Sequence, residues 1–295
     1  MPTFNSTQIV GKKEDVSDVI NMVSPTATPF LSSIKNGKVS NTLFQWQEDS
    51  LAAAAPNAQV EGADATAETS SPTVLRTNVT QILSKTIQVS ETADAVDVYG
   101  RKKESARLLV NKGKELKRDQ EFAYLSGQTM VQGNGSSTAS KTASIQAQID
   151  SSVTTTLGTA GPITQVKFLE VHQKAWTAGG DPSRVLCKPA DKVVIASWAT
   201  QTNQTRVLND KNTTLTGAVD IYVTPFGSLA IEASRHLRTS DCLIYDPDMI
   251  ESAWLRPWST QTLAKTGDSN KTMIVGEVGL KNGSQFAHGL LSNLT

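Results

Sequence analysis

Cysteine, aromatic residues and net charge are all scarce in this sequence. Only two of its 295 residues are cysteine, Cys187 and Cys242, which excludes a disulfide framework and any four-cysteine zinc site. Both are expected to be half-buried free thiols in a reducing cytosol. No apolar run approaches the ~18 residues that a bilayer span needs; the longest, residues 51–55, has five. Met1 to Ser6 offer no basic stretch leading into an apolar one, so no secretory signal is expected. The 28 Lys+Arg balance the 28 Asp+Glu, which argues against a dedicated nucleic-acid binder with its usual basic excess.

Catalytic signatures are missing too. There is no phosphate-binding Gly-x-x-x-x-Gly-Lys-[Ser/Thr], no His-Glu-x-x-His and no Gly-x-Ser-x-Gly. His172, His236 and His288 stand far apart, none beside a second ligand at metal spacing. Asp246-Pro247-Asp248 resembles a fragment of a calcium loop but reads better as a turn. No catalytic residue, cofactor or metal is expected, and the chain is not expected to be an enzyme.

What is present fits a folded chain of about two structural units: 38% apolar and 19% charged residues exclude both a disordered and a membrane-like composition. Residues 13–23 carry Val16, Val19, Ile20 and Val23 at helical spacing. Pro25 and Pro29 predict an extended segment through Phe30 and Leu31. Alternation of Phe44 and Trp46 with Gln45 and Gln47 predicts a strand over 38–48, and a second runs over 79–90. The 30 or so residues between them, rich in Ala, Thr and Ser, form either a disordered loop or a projecting hairpin.

A long helix is predicted over 101–126, closed by Gly127, with Ala106, Leu109, Val110, Gly113, Leu116 and Ala123 as its apolar stripe. Turns or an irregular hairpin follow over 127–144. Helices are predicted over 163–178, with Val166, Leu169, Val171 and Trp176 apolar and Gly179-Gly180 as cap, and over 190–203. Strands are predicted over 184–187, 219–223, 229–233, 242–245, 252–255 and 272–280, giving an α+β fold class.

Charge is unevenly spread. From Val39 to Leu75 there are five acids (Glu48, Asp49, Glu61, Asp64, Glu68) and no Lys or Arg, so that stretch carries −5. From Arg101 to Glu121 eight basic residues, among them Lys112, Lys114, Lys117 and Arg118, outnumber four acids, giving +4. Complementary patches of this kind steer association. The basic helix, interrupted by acids, makes a poor nucleic-acid surface. These residues are candidates for contact between copies of the chain.

The order of parts, an N-terminal arm, a long hairpin, one long helix and a mixed α/β region, resembles the Hong Kong 97-type major capsid fold of tailed bacteriophages. Several stretches resemble the major head proteins of a podovirus-like branch: residues 24–31 (SPTATPFL), 78–86 (NVTQILSKT), 113–119 (GKELKRD), 245–248 (YDPD), 254–257 (WLRP) and 265–268 (KTGD). The resemblance implies an N-arm over 1–37, an extended E-loop hairpin with its flanking strands over 38–92, and a peripheral domain with the spine helix over 93–149. It further implies an axial domain over 150–240 and return strands of the peripheral domain with the C-terminus over 241–295.

The implied function is a structural capsid subunit that forms hexamers and pentamers around packaged double-stranded DNA, assembled in the bacterial host cytoplasm. Implied partners are the chain itself, a portal protein, a separate scaffolding protein (no built-in extension precedes the arm) and nonspecific DNA, with room for a decoration protein and no membrane. Lysine is absent from 39–75, so a shell held by noncovalent contacts is expected rather than lysine cross-links at the loop tip. The Ser/Thr/Ala-rich composition favours an alternative, a tail-associated or adhesin-type binding protein, although the β-repeats of that class are not found.

Overall fold

A computed structural model describes residues 26–62, 64, 70, 72–97, 103–201 and 220–295. The helix expected over 13–23, the first two residues of the long helix and Glu68 lie outside the described residues.

The described chain begins with a correction. Residues 29–33 form a helical turn, α1 (Pro29–Ser33), rather than an extended segment. Pro29 sits in its first turn, where a missing N–H costs nothing and a fixed φ helps. Phe30 is fully buried against Tyr124 and Tyr245, with ring centroids 6.3 and 5.3 Å away.

After α1 the chain passes through β1 (Lys35–Lys38), β2 (Leu43–Glu48), β3 (Val74–Val79), β4 (Gln81–Ser90) and a short α2 (Glu91–Ala95). The long helix, α3 (Glu104–Leu125), is 22 residues and about 33 Å in length. It ends where Gly127 takes φ +78°, a conformation that favours glycine. The expected irregular hairpin follows, tied by a bridge between Val131 and Lys141. Then come β5 (Thr154–Gly161), α4 (Gln165–Thr177), β6 (Arg184–Cys187), α5 (Pro189–Gln201), β7 (Ile221–Thr224), β8 (Gly227–Ala233), β9 (Cys242–Tyr245), β10 (Ile250–Thr262), β11 (Ser269–Asn282) and β12 (Gly289–Leu294).

Three sheets organise these strands. The first runs β1-β10-β11-β4, with β1 parallel to β10 and the rest antiparallel. Two register shifts in β10 lie on either side of Arg256, and the second, between Arg256 and Ser259, spans Pro257, a residue that cannot donate to a ladder. The second sheet runs β5-β12-β9-β6-β8-β7, and the third is a two-stranded ribbon of β2 and β3. One apolar core gathers Phe30, Tyr124, Leu125, Tyr245 and Leu280 between the first sheet, α3 and the start of the chain. Another gathers Phe168, Val171, Ile195, Trp198 and Ile244 under α4 and α5.

The buried faces of two helices differ from expectation. In α3 no residue of the N-terminal half is fully buried: Leu109 is half-buried, Ala106 and Val110 are exposed, and the buried residues are Leu116, Gln120, Glu121, Ala123, Tyr124 and Leu125. In α4, Val166 and Trp176 are exposed, and Phe168, Val171, His172 and Ala175 are buried. Gly179 and Gly180 close α4 as expected, donating to Trp176 O and Ala175 O. Both cysteines are fully buried rather than half-buried, and burial pushes the Cys187 thiol up to about 12.

Candidate inter-subunit surface

The long segment between β2 and β3 stands on a two-stranded base. The ribbon pairs Leu43 with Val79 through Glu48 with Val74. Its strand character follows from alternation, with Phe44 and Trp46 on one face and exposed Gln45 and Gln47 on the other.

Three contacts fasten this base to the body. A Cβ on Gly279 would lie 2.6 Å from the Phe44 ring, so only glycine lets the ring approach the β11 backbone this closely. Asn78, fully buried, accepts from the Ala143 N–H at 2.8 Å and donates to Leu280 O at 2.6 Å. Glu48 accepts from Ser284 Oγ at 2.8 Å and from the Gln285 N–H at 3.1 Å, and pairs with Arg76 at 3.0 Å.

Among the acids expected to face another copy, Glu48 is therefore engaged inside its own chain. Asp49, Glu61 and Asp64 are exposed, as are Leu51 and Val60 on the same segment, Leu51 at 98%. Residues 49–60 form no strand or helix. Surface of this kind, apolar and acidic and left exposed among the described residues, is what a partner would bury.

The basic residues of α3 divide likewise. Lys114 and Lys117 are exposed. Lys112 pairs with Glu115 at 2.9 Å, one turn away. Lys85 of β4 bridges Glu115 at 3.0 Å and Asp119 at 2.9 Å, which fixes the helix to the first sheet. Burial holds His236 below its ordinary pKa, and the positive charges of Arg118 and Arg235 act on it in the same direction.

Glu121 plays a role that its sequence position did not announce. It is fully buried, and its two carboxylate oxygens accept from the N–H groups of Phe30 at 3.0 Å and Leu31 at 2.8 Å. Burial is the largest influence and raises it to about 7, against the two hydrogen bonds that favour the charged form. The Glu232 carboxylate adds a small push in the same direction. One side chain on the long helix thereby holds the start of the described chain in place.

The histidines serve packing. His288 is fully buried, accepts from the Asp246 N–H through Nδ1 at 3.2 Å, and contacts Asn282 Oδ1 through Nε2 at 2.8 Å. That arrangement places the proton on Nε2, and burial lowers the ring to about 3. Asp246 caps a short turn at 247–249 by accepting from the Asp248 N–H, in agreement with the turn expected there. Among the described residues no group of three or more His, Cys, Asp or Glu could hold a metal ion.

Comparison with known proteins agrees with this architecture. The family model for the SU10 major capsid protein matches residues 3–295. The major capsid protein of Escherichia phage Phieco32 is 30% identical over 331 aligned positions, covering 95% of this chain and 94% of that one. Among solved structures, that of Mycobacterium phage Cain superimposes with a TM-score of 0.63 at 14% identity, covering 100% of this chain and 99% of that one. The capsid of the native GTA particle gives 0.63 at 12% identity, with coverage of 97% and 96%. The fold is that of Hong Kong 97-type phage capsid proteins. With its two-stranded ribbon, long helix and two larger sheets, the chain belongs to the SU10 major capsid protein family: it is a phage major capsid protein, a self-associating structural subunit of the virion shell.

Proposed function

We propose that the subunit forms hexamers and pentamers of an icosahedral shell that encloses packaged double-stranded DNA. Residues 1–37 serve as the arm, 38–92 as the overlapping loop and its strands, 93–149 as the peripheral domain, 150–240 as the axial domain and 241–295 as return strands. A portal protein and a separate scaffolding protein are its assembly partners in the host cytoplasm, with DNA touched nonspecifically inside and a decoration protein as an outside partner.

The observation that carries this reading is the charge separation between exposed surfaces. The loop bears exposed Asp49, Glu61 and Asp64, while α3 exposes Lys114 and Lys117. Within one subunit these residues make no ion pair with one another. The loop of one subunit then lies over the long helix of its neighbour. Charge steers the approach, and exposed Leu51, Val60, Val110 and Phe122 supply the apolar burial that holds it.

Electron microscopy of the purified recombinant protein tests the assembly state. Round shells or rings of hexamers are expected; discrete trimers or monomers under every assembly condition overturn the reading. Charge reversal at Glu61 and Asp64, and separately at Lys114 and Lys117, tests the contact. Each double variant should assemble poorly at low salt. Normal assembly of both at low and high salt removes the pairing from the proposal.

A further inference from the structure

Asn-Gly occurs three times in the sequence, at 36–37, 134–135 and 282–283. In each, attack of the glycine nitrogen on the asparagine Cγ would close a five-membered ring, and glycine has no Cβ to hinder the approach. The fold treats the three differently. Gly283 donates its N–H to Met249 O at 2.7 Å, and Asn282 is buried with its Oδ1 2.8 Å from His288 Nε2. Gly37 lies in the β1–β10 ladder. Val39, two residues on, donates to Trp254 O, and the strand period of two turns the Gly37 N–H toward β10 as well.

Asn134 and Gly135 are both exposed, in the irregular hairpin that follows α3. The Asn134 Oδ1 accepts from the N–H groups of Ser136, Ser137 and Thr138 at 3.1, 3.0 and 2.9 Å. Its Nδ2 donates to Ser137 Oγ at 3.0 Å, which fixes the amide with its oxygen toward the three donors. Gly135 takes φ +75°, and among the described residues no hydrogen bond engages its N–H. One site therefore combines a free amide nitrogen with a carbonyl that backbone donors polarise. Successive N–H groups of this kind form an anion-binding concavity, and they bond a charged oxygen more strongly than a neutral one.

We infer that Asn134 is a self-modification site, at which the Gly135 nitrogen attacks Asn134 Cγ and water converts the amide to a carboxylate. The Gly135 N–H gives its proton to a solvent base, and its nitrogen forms a bond to Cγ while the carbonyl electron pair moves onto Oδ1. The N–H groups of Ser136, Ser137 and Thr138 meet that developing negative charge as an oxyanion hole does. Collapse of the intermediate breaks the Cγ–Nδ2 bond, and the nitrogen leaves as ammonia after taking a proton from water. Water then opens the resulting succinimide at either carbonyl, giving aspartate or isoaspartate. One water is consumed and one ammonia released, with no oxidation or reduction. The exposed loop gains negative charge as the protein ages, so identical copies in one shell become chemically distinct with time.

Peptide mass analysis of the purified full-length protein, stored near neutral pH and sampled over time, supplies the test. Amide-to-acid conversion is expected at least about tenfold faster at Asn134 than at Asn36 or Asn282. In urea at the same pH the three rates should converge, and conversion at Asn134 should fall at least about threefold below its rate in the folded protein, because the oxyanion cradle is gone. The variant Asn134→Asp provides the chromatographic standard for the aspartate product. Equal conversion at the three sites in the folded protein overturns the inference. So does a rate at Asn134 that is equal or slower when folded than in urea, since the hydrogen bonds would then hold the amide away from Gly135.

Discussion

Replacing Glu121 with Gln gives a stability change whose sign depends on pH. In the folded chain this carboxyl titrates at about 7 rather than 4.5, so the native state binds its proton more tightly than the unfolded state does. Below pH 4.5 both states are protonated and the residue contributes nothing to pH dependence. As pH rises from 4.5 to 7 the unfolded chain ionises first, and stability is lost at up to about 1.4 kcal/mol per pH unit. Above 7 the loss levels off at about 3 kcal/mol.

The glutamine side chain introduced by Glu121→Gln has no charge to bury. Its amide nitrogen, however, must face one of the two N–H donors of Phe30 and Leu31, which costs about 1 kcal/mol. The variant is therefore expected to be about 1 kcal/mol less stable than the wild type at pH 3.5, about equal to it near pH 5, and about 2 kcal/mol more stable at pH 8.5. Urea unfolding of purified subunits across that range, followed by tryptophan fluorescence, measures the gap. Both proteins share the opposite trend of carboxylates such as Glu115 and Glu170, whose lysine partners hold them below their ordinary range, so the difference isolates Glu121. A gap that stays constant from pH 5 to 8.5 refutes the reasoning.

Other expectations follow from packing. Phe30→Ala should destabilise the subunit by about 3–5 kcal/mol, the usual cost of emptying a fully buried aromatic site, as read by the same unfolding assay. Gly279→Ala places a methyl 2.6 Å from the Phe44 ring and 2.9 Å from Val79 O; the ribbon should loosen, seen as faster amide exchange in β2 and β3 with the second sheet unchanged. Cys187 and Cys242, buried and held as thiols, should react with a thiol reagent only after unfolding; rapid labelling of the native subunit would contradict their placement.

Much of the architecture was legible in the sequence, for identifiable reasons. The long helix shows because 22 residues with a single internal glycine run up to Gly127. The ribbon shows because Phe44 and Trp46 alternate with glutamines. Helical spacing, however, does not say which stripe meets a partner. Val110 and Phe122 are apolar yet exposed, and the partly apolar C-terminal turns around Tyr124 make the packed face. Strand β5, Thr- and Gly-rich, carries no apolar alternation; its pairing with β12 makes it a strand. In the sequence Glu121 is one acid among four on a basic helix. Its clamp on the chain's start depends on a contact 90 residues distant, which no local pattern encodes. The exposed acids and lysines of the candidate surface were legible as charge runs, whereas the engagement of Glu48 and Lys112 within the subunit was not.

The order of strands in the second sheet also sets when folding can finish. Strand β12, at residues 289–294, lies between β5 and β9, and joins them by parallel and antiparallel ladders respectively. A nascent chain that has not yet released those residues holds two bare strand edges in what becomes the sheet interior. Pairings so distant in sequence form late. A prematurely terminated product lacking them would present edges that pair with anything extended. Synthesis thus acts as a checkpoint: only polypeptides translated through residue 294 close this sheet.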